Sequence, residues 1–370
     1  MNNKGKKLRG VNLGGWLVLE KWMTPSLFTG LKAVDETTFC AELAADAEQI
    51  LKRHWQTFIT REDFLWLAGI GVNAVRIPVG HWIFGPGYPY HKSYGDSTYP
   101  FVEGGIDILD QAFDWAEESC LGIVLDLHAA PGCQNGFDNG GIKDVCEWHT
   151  KQEYIDFSLQ VLENLAKRYH QRKALIGIEV LNEPRWDLDL NLLKKFTIDG
   201  YRRIRKYCPP ESVAVVFHDA FRDHKEFDGF MSGDEFDHVI YDIHRYQCFI
   251  QPDLDMDIYG HIQKAAIHWK NEADAINRDL GLGTYVGEWS LGLNMHGLSL
   301  SAIGSETRNG QALDPFQTTV AYRAYAAAQL ATFERYRGWF FWSYKTETSP
   351  AWCFRDCVDK GWLPKRFDGA

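Results

Sequence analysis

Two glutamates in this 370-residue sequence stand where they could act as a catalytic pair. Glu183 lies in the stretch Asn-Glu-Pro at the end of one apolar run, and Glu288 lies in the stretch Gly-Glu-Trp at the end of another. Cleavage of a glycosidic bond needs a protonated acid beside the leaving oxygen and a carboxylate near the anomeric carbon, about 5–5.5 Å apart when configuration is retained. A helix cap or a loop ion pair would explain either glutamate alone, so it is the pair that predicts this chemistry.

Arg76 lies in a third apolar run, Asn-Ala-Val-Arg-Ile-Pro, where an unpaired charge would be very costly to bury. Its partner is expected to be the attacking carboxylate or, as an alternative, a surface aspartate of the next helix. A cation beside Glu288 would lower the pKa of that carboxyl and keep it ionised, whereas Glu183, which has Asn182 beside it, would be free to hold a proton. On this interpretation Glu288 attacks and Glu183 donates the proton.

The apolar runs and the segments between them predict the scaffold. Eight short runs occur at residues 8–13, 72–77, 123–127, 175–181, 213–217, 239–243, 284–286 and 338–342. Helical periodicity occurs between most of them, at residues 36–53, 105–120, 152–170, 190–206, 256–280 and 315–335. Apolar strands that alternate with helices are typical of a parallel sheet covered on both faces, and eight such units match an α/β fold of the (β/α)8 TIM barrel type.

The length of the chain leaves room for long loops on that scaffold. A bare barrel has about 250 residues, so about 120 remain for loops. We expect the longest loops at residues 84–103, 132–148 and 292–314, on the C-terminal face of the barrel. Because no linker, low-complexity tract or repeat interrupts the sequence, we predict one catalytic domain over residues 1–370.

The ends of the predicted strands carry polar or aromatic side chains, which matters because the active sites of such barrels lie at the C-terminal ends of the strands. These residues are Asn12, Arg76, His128, Asn182 with Glu183, His218 with Asp219, His244 with Tyr246, Glu288 and Trp342. A purely structural barrel would not need this pattern. His128, His244 and Tyr246 are candidates for orienting the carboxyl groups or contacting sugar hydroxyls, although a lone histidine at a strand end is more often a satisfied core residue.

The sequence offers little support for a metal or a bound cofactor. A hydrolytic metal barrel commonly needs two closely spaced histidines on an early strand, and the first two predicted strands have Asn12 and Arg76 there. The glycine-rich stretches lack the spacing that cradles phosphate. We therefore predict no metal and no cofactor.

Charge and composition exclude other classes of function. The net charge of -11 disfavours nucleic acid and anionic membranes as partners. No uncharged apolar run reaches the roughly 18 residues that span a bilayer, and the eight cysteines form no Cys-x-x-Cys pair. Without a signal-peptide run near its start the chain is expected to be cytoplasmic, or secreted if it is a trimmed mature form.

Several stretches together resemble the exo-β-1,3-glucanases of glycoside hydrolase family 5. They are Arg-Gly-Val-Asn-Leu-Gly-Gly-Trp (residues 9–16), Met-Thr-Pro-Ser-Leu-Phe (23–28), Gln-Asn-Gly-Phe-Asp-Asn (134–139), Asn-Glu-Pro (182–184), His-Arg-Tyr-Gln (244–247), Gly-Glu-Trp-Ser (287–290) and Trp-Ser-Tyr-Lys-Thr-Glu (342–347). Asn-Glu-Pro alone is a family-level signal, whereas Gln-Asn-Gly-Phe-Asp-Asn and the two terminal stretches are more specific. Arg245 and His81 depart from the family's pattern, so we expect the rim beyond the first sugar to differ.

The resemblance implies a role for each matching residue. Glu183 would be the acid/base and Glu288 the nucleophile. The surrounding shell would consist of Arg76, His128, Asn182, His244, Tyr246 and Trp342. Glu20 would bind hydroxyls of the terminal glucose, with Asn139 and Asp219 near the same pocket. Phe137 and Phe249 would clamp the sugar at the entrance, where rings stack on the C–H face of glucose.

The sequence as a whole predicts a retaining β-glucoside hydrolase that releases glucose from non-reducing β-1,3-linked ends of an oligosaccharide or glucoside. Within the enzyme class the alternatives are action on β-1,6-glucan, hydrolysis of steryl or aryl glucosides, and transglycosylation. A non-catalytic sugar-binding barrel is the alternative from another class, and it would be expected to lack one carboxylate. The β-1,3 linkage is what the resemblance implies; the residues themselves predict neither the linkage preference nor the oligomeric state.

Overall fold

Eight parallel strands form a closed barrel in the computed structural model, which describes residues 5–85, 100–293 and 314–368. The strands are β1 (Leu8–Asn12), β2 (Ala74–Gly80), β3 (Gly122–Ala129), β4 (Leu175–Glu179), β5 (Ala214–His218), β6 (Val239–Arg245), β7 (Gly283–Trp289) and β8 (Gly338–Phe341). Each strand pairs with its neighbours in sequence, and β8 closes the barrel on β1, with Phe341 beside Val11. The predicted (β/α)8 barrel is confirmed.

Helices cover the outside of the barrel. They are α1 (Glu36–Leu43), α2 (Asp46–Thr57), α3 (Arg61–Gly69), α4 (Gly105–Ser119), α5 (Gln152–Tyr169), α6 (Leu190–Arg205), α7 (Ile258–Gln263), α8 (Trp269–Asp279), α9 (Pro315–Phe333) and α10 (Phe354–Asp359). Between β5 and β6 the connection contains only a short 3-10 helix, His224–Phe227. None of the helices within the described ranges is long and apolar enough to cross a membrane.

Some predicted boundaries were wrong. The single helix expected over residues 36–53 is two helices, because Ala44 adopts a φ of 48° and ends α1. Helix α3 was missed, although Thr60 and Asp63 form a capping box that marks its start. Strand β4 ends at Glu179, whereas β2 and β7 continue three residues beyond their predicted ends.

Two of the three expected long loops lie mainly outside the described residues, because residues 86–99 and 294–313 are not described. The third, at residues 132–148, follows β3. It contains a short 3-10 helix, Asp138–Gly140, and Trp148, which begins a second one, is buried against the core. This loop therefore carries its side chains to the C-terminal end of the barrel on an anchored backbone.

Apolar side chains from all eight strands pack into one cluster that fills the barrel. Its members are Leu8, Ala74, Val124, Ile176, Ala214, Val216, Ile240, Tyr285 and Phe340. Because residues two apart in a strand share a face, the side chains that follow these along the same face lie nearer the C-terminal end. There the residues change from apolar to polar: Ala74 to Arg76 in β2, Val124 to Asp126 and His128 in β3, and Ile240 to Asp242 and His244 in β6. The alternation of side chains along the strands thus places a layer of charged groups on the C-terminal side of the apolar layer.

The tight fit of this layer gives a test of the fold. A Cβ on Gly10 would lie 2.2 Å and 2.4 Å from ring atoms of Phe340, which is fully buried. We expect Gly10→Ala to lower the free energy of unfolding by about 1–3 kcal/mol, since the ring must move within a filled barrel. Urea titration would measure the loss. The control is Gly69→Ala in α3, where a Cβ meets nothing within 4 Å; a loss no larger than the control's would show that the interior is not filled as described.

Candidate active site

Arg76 lies at the centre of the polar layer, and its side chain is only 1% exposed. Its guanidinium contacts three carboxylates: Glu179 at 2.7 Å, Asp126 at 3.0 Å and Glu288 at 3.1 Å. Burial alone would lower the pKa of Arg76, but these three neighbours raise it well above its usual value. The alternative of a surface aspartate as the partner of Arg76 is wrong, because all three partners are themselves buried.

Two amides complete the surroundings of the guanidinium. Arg76 Nη1 donates to Asn12 Oδ1 at 3.0 Å, and Nη2 donates to Asn182 Oδ1 at 2.7 Å. The Asn12 amide in turn donates to the carbonyl of Gly287 at 2.8 Å, next to Glu288. Hydrogen bonds from one cation thereby tie together the C-terminal ends of β1, β2 and β7 and the loop after β4.

Glu183 and Glu288 meet at one imidazole. His244 Nδ1 lies 2.7 Å from Glu183 Oε1 and 3.4 Å from Glu288 Oε2. The nearest oxygens of the two carboxyl groups are therefore no more than about 6 Å apart, the sum of those distances. Asn139 Nδ2 donates to the other oxygen of Glu183 at 3.2 Å, and the hydroxyl of Tyr246 donates to Glu288 Oε2 at 2.8 Å.

The pKa values of the two glutamates shift in opposite directions, and not as the sequence suggested. Burial raises the pKa of Glu183, but the hydrogen bond and charge of His244 outweigh it and the pKa falls below its usual value. Burial raises the pKa of Glu288 above its usual value, with only partial opposition from His244 and Arg76. The prediction failed because His244 is hydrogen-bonded to Glu183, whereas Arg76 divides its charge among three carboxylates.

His244 is the second cation of the site. Burial would lower its pKa, but the charges of Glu288 and Glu183 and hydrogen bonds to Asp242 and Glu183 raise it well above its usual value. These contacts favour the protonated imidazole, in which Nδ1 donates to Glu183. Protonation of His244 and ionisation of Glu183 are two sides of the same contact.

The backbone of Glu183 is itself unusual. Its φ is 41°, in the left-handed region that residues other than glycine seldom occupy. Gln134 holds the segment, because its side-chain amide donates to the carbonyls of His128 and Asn182 at 2.7 Å and 2.9 Å. Strained residues of this kind concentrate at functional sites, where the surrounding structure enforces them.

His128 and Trp342 form one wall of the site. His128 Nδ1 lies 2.6 Å from Asp126 Oδ2, and its ring stacks on Trp342 at 5.4 Å with an interplanar angle of 5°. Both side chains are buried. Asp126 also contacts Arg76, so this wall is connected to the centre of the polar layer.

Glu20 approaches the pair from the loop after β1. The indole of Trp22 donates to Glu20 Oε2 at 2.8 Å. Burial raises the pKa of Glu20 well above its usual value, and the charges of Asp138, Glu288 and Glu183 raise it further. Glu20 thus shares an acidic pocket with both glutamates.

The remaining predicted residues are two partly exposed phenylalanines and one buried carboxylate. Phe137 and Phe249 are 36% and 39% exposed, and Phe249 packs edge-on against Tyr246 at 5.4 Å. Asp219 is buried; its Oδ1 accepts from the backbone of Phe221 at 2.7 Å, and its Oδ2 lies 3.9 Å from Arg245. Burial raises the pKa of Asp219 to about 7 despite Arg245.

Three buried carboxylates of the site were missed from the sequence: Asp126, Glu179 and Asp242. Asp242 Oδ1 accepts from the backbone of Gly287 at 2.6 Å, beside Glu288. Each is a charged residue within an otherwise apolar strand, the same signal that singled out Arg76. That signal could have found them if it had been applied within every strand as well as at its end.

Several buried polar atoms have no hydrogen-bond partner in the part of the chain that is described. Among them are Asn182 Nδ2, His128 Nε2 and His218 Nε2. His218 accepts from the backbone of Ala220 at Nδ1, and burial lowers its pKa well below the usual value, so its Nε2 carries the hydrogen. Buried polar atoms without protein partners are typical of ligand-binding sites.

Two trios in the described ranges have ligand atoms close enough for a metal ion: Glu183, His218 and His244, and Glu179, Asp242 and His244. Both depend on His244. A metal ligand must be a neutral imidazole, whereas the pKa of His244 is raised by its contacts with Glu183 and Glu288. The ring nitrogens of His244 are therefore better suited to binding protons than a metal ion.

A comparison with protein-family models matches residues 41–346 to the model described as Cellulase (glycosyl hydrolase family 5). The chain is 36% identical over 392 residues to a glucan 1,3-beta-glucosidase of Blumeria graminis, covering 98% of this chain and 88% of that protein. A glucan 1,3-beta-glucosidase of Schwanniomyces occidentalis is also 36% identical, with the same coverage. Among solved structures, rutinosidase from Aspergillus niger matches with a TM-score of 0.76 and 19% identity, over 98% of this chain and 99% of that one, a likeness of fold.

The shared proton of Glu183 and His244 predicts how stability depends on pH. The raised pKa of His244 adds stability below 6.5, the ordinary His value, and this is lost as pH rises through the folded pKa. The lowered pKa of Glu183 adds stability above 4.5, the ordinary Glu value, and this is lost as pH falls through the folded pKa. We expect His244→Asn to destabilise most between pH 4.5 and 6.5, and less on either side.

Denaturant unfolding at several pH values would measure this dependence. The control is His54→Asn, because His54 is a buried histidine whose pKa burial lowers to about 4 and whose imidazole contacts the carbonyl of Gly15. Its loss of stability should be the same at pH 7 and pH 9. An effect of His244→Asn that is equally independent of pH would contradict the ion pair.

Proposed function

The chain belongs to glycosyl hydrolase family 5, and we propose that it is a retaining β-glucoside hydrolase that releases glucose from non-reducing β-1,3-linked ends. The observation that carries the proposal is the carboxyl pair at His244, whose nearest oxygens lie within about 6 Å. Retaining enzymes hold their carboxyl groups roughly 5–5.5 Å apart and inverting enzymes about 6.5–9.5 Å apart, so two carboxyl groups that contact one imidazole are compatible with retention. The names of the relatives supply the β-1,3 linkage, and we place the whole reaction in one catalytic domain.

In the first step Glu288 is the nucleophile. Arg76 and the hydroxyl of Tyr246 each hold one of its oxygens, so the carboxylate is oriented before the sugar arrives. As the bond from the anomeric carbon to the leaving oxygen breaks, that oxygen takes a proton from Glu183, and the carbon becomes bonded to Glu288. His244 supplies the proton to Glu183 across their 2.7 Å contact when the developing charge on the leaving oxygen demands it.

In the second step Glu183 acts as the base. The carboxylate left after proton transfer takes a proton from water, the water oxygen bonds to the anomeric carbon, and the bond to Glu288 breaks. The proton then returns from Glu183 to His244 across their contact, which restores the starting state. Two inversions leave the glucose in its original β configuration. No cofactor is needed for either step.

The other residues of the pocket would bind the terminal glucose. The donor Asn182 Nδ2 and the ring nitrogen His128 Nε2, both without a partner among the described residues, would contact sugar hydroxyls, and the carboxyl of Glu20 would contact another. Asn139 and Asp219 would border the same sugar. The rings of Trp342, Phe137 and Phe249 would contact its C–H faces, with the two phenylalanines at the entrance.

The first experiment compares linkages. The purified protein is incubated with laminaribiose, laminaritriose, gentiobiose, cellobiose and an aryl β-glucoside, and proton NMR follows the released glucose and its first anomer. β-Glucose released fastest from the β-1,3 substrates supports both the linkage and retention. Cleavage of gentiobiose or the aryl glucoside alone would overturn the proposed β-1,3 linkage. α-Glucose as the first product would overturn retention. Binding without turnover would favour a sugar-binding barrel.

Replacement of each glutamate tests its role separately. We expect Glu288→Ala to abolish turnover of an aryl glucoside, with azide restoring part of it as the inverted α-glucosyl azide. We expect Glu183→Ala to lose about 10²- to 10⁴-fold on substrates with poor leaving groups, with azide accelerating breakdown of the intermediate to β-glucosyl azide. Glu147→Ala, on an exposed loop carboxylate, is the control. Normal turnover by either variant would exclude that residue from its role.

A further inference from the structure

Trp186 is a large aromatic residue that the proposed reaction does not use. Its side chain is 55% exposed, although it lies only three residues beyond Glu183 in the loop between β4 and α6. An indole so far out of the core gains little from burial, so its position needs another explanation. Trp186 also lies outside every stretch that identified the family.

The loop that carries Trp186 is fixed on both sides. On one side the backbone N–H of Arg185 donates to the carbonyl of Gln134 in the loop after β3, at 3.1 Å. On the other side Arg222, in the loop after β5, donates to the carbonyl of Leu188 at 2.6 Å. Arg185 and Asp187, which flank the tryptophan, pair with each other at 2.5 Å. Hydrogen bonds to neighbouring loops therefore hold the backbone on both sides of Trp186.

Trp186 completes a row of exposed rings. The loops after β3, β4, β5 and β6 each carry one: Phe137, Trp186, Phe221 and Phe249 respectively. Because these four strands are consecutive neighbours in the barrel, the loops that carry the rings follow adjacent strands on one side of the rim. Other exposed rings, such as Phe316 at 76%, lie on the outer helices.

The position of these exposed rings around the barrel determines which part of a substrate they would contact. Glu183, the residue proposed to protonate the leaving oxygen, belongs to the same loop as Trp186. The leaving group must therefore depart past this loop. An exposed indole can stack on the C–H face of a pyranose ring.

We propose that Trp186 is the binding platform for the second sugar of the leaving group, so that the protein favours β-glucan oligosaccharides of three or more units over disaccharides. This inference rests on the proposed function, and it names the part of the substrate that the family resemblance leaves unassigned. A disaccharide reaches the glucose pocket and the Phe137 and Phe249 entrance, and a trisaccharide adds the unit that lies on Trp186.

The experiment compares kcat/KM for laminaribiose, laminaritriose and laminaritetraose, with p-nitrophenyl β-glucoside as a probe of the glucose pocket alone. We expect Trp186→Ala to reduce kcat/KM for the triose and tetraose about fivefold, mainly through KM, and to change the ratio of triose to biose by the same factor. Trp186→Phe should recover most of the loss, because a ring remains. Phe316→Ala removes an exposed ring on α9 and serves as the matched control.

The outcomes separate this inference from the function on which it rests. An unchanged ratio of triose to biose in Trp186→Ala, with the wild-type protein active on both, overturns the platform alone. A loss of equal size on all four substrates also overturns it, since it would indicate damage to the glucose pocket. A wild-type protein that hydrolyses the aryl glucoside but none of the β-1,3 oligosaccharides overturns the proposed linkage and the platform's substrate with it.

Discussion

One buried cation holds the centre of this molecule together. Arg76 lies among Asp126, Glu179 and Glu288 in a space with almost no exposure to solvent. Its charge lowers the pKa values of Glu179 and Glu288 and so opposes the effect of burial on them. Removal of one partner from a buried ion pair typically destabilises a protein by about 3–5 kcal/mol. The carboxylates in turn come from three different strands, β3, β4 and β7, so the same guanidinium links these strands to β2 and balances the charge of the site.

The charge balance also explains why two chemically identical side chains differ. Five carboxylates surround two cations, Arg76 and His244, and the sharing is unequal. Glu183 has a short contact with His244 and the amide of Asn139, so its pKa is lowered. Glu288 is the third carboxylate on Arg76 and the more distant one on His244, so burial prevails and its pKa is raised. For these two glutamates, the contacts made across the barrel, rather than the neighbours in sequence, set the direction of the pKa shift.

The sequence predicted the number of strands, their order and most of the residues that meet at the site. It could do so because parallel strands must be apolar along most of their length, while the barrel brings all their C-terminal ends to one face. It did not predict which carboxyl lies beside which cation. Glu183 and His244 are 61 residues apart, and their contact depends on the left-handed backbone at Glu183 and the bond from Gln134. Likewise, nothing in the Ala-Ala sequence at Ala44 indicates the break between the first two helices, since alanine favours the helix.

The apolar layer beneath the charged layer makes the pocket a blind passage. Leu8, Ile176 and Phe340 help to close the interior below Arg76, and a Cβ on Gly10 would find no room there. Sugar, departing alcohol and incoming water would therefore all pass on the C-terminal side of the charged layer. An alcohol that stays there after the first step would compete with water for the glucosyl group. The rate at which it leaves, as well as the acidity of Glu183, would then set the balance between hydrolysis and transfer to another sugar.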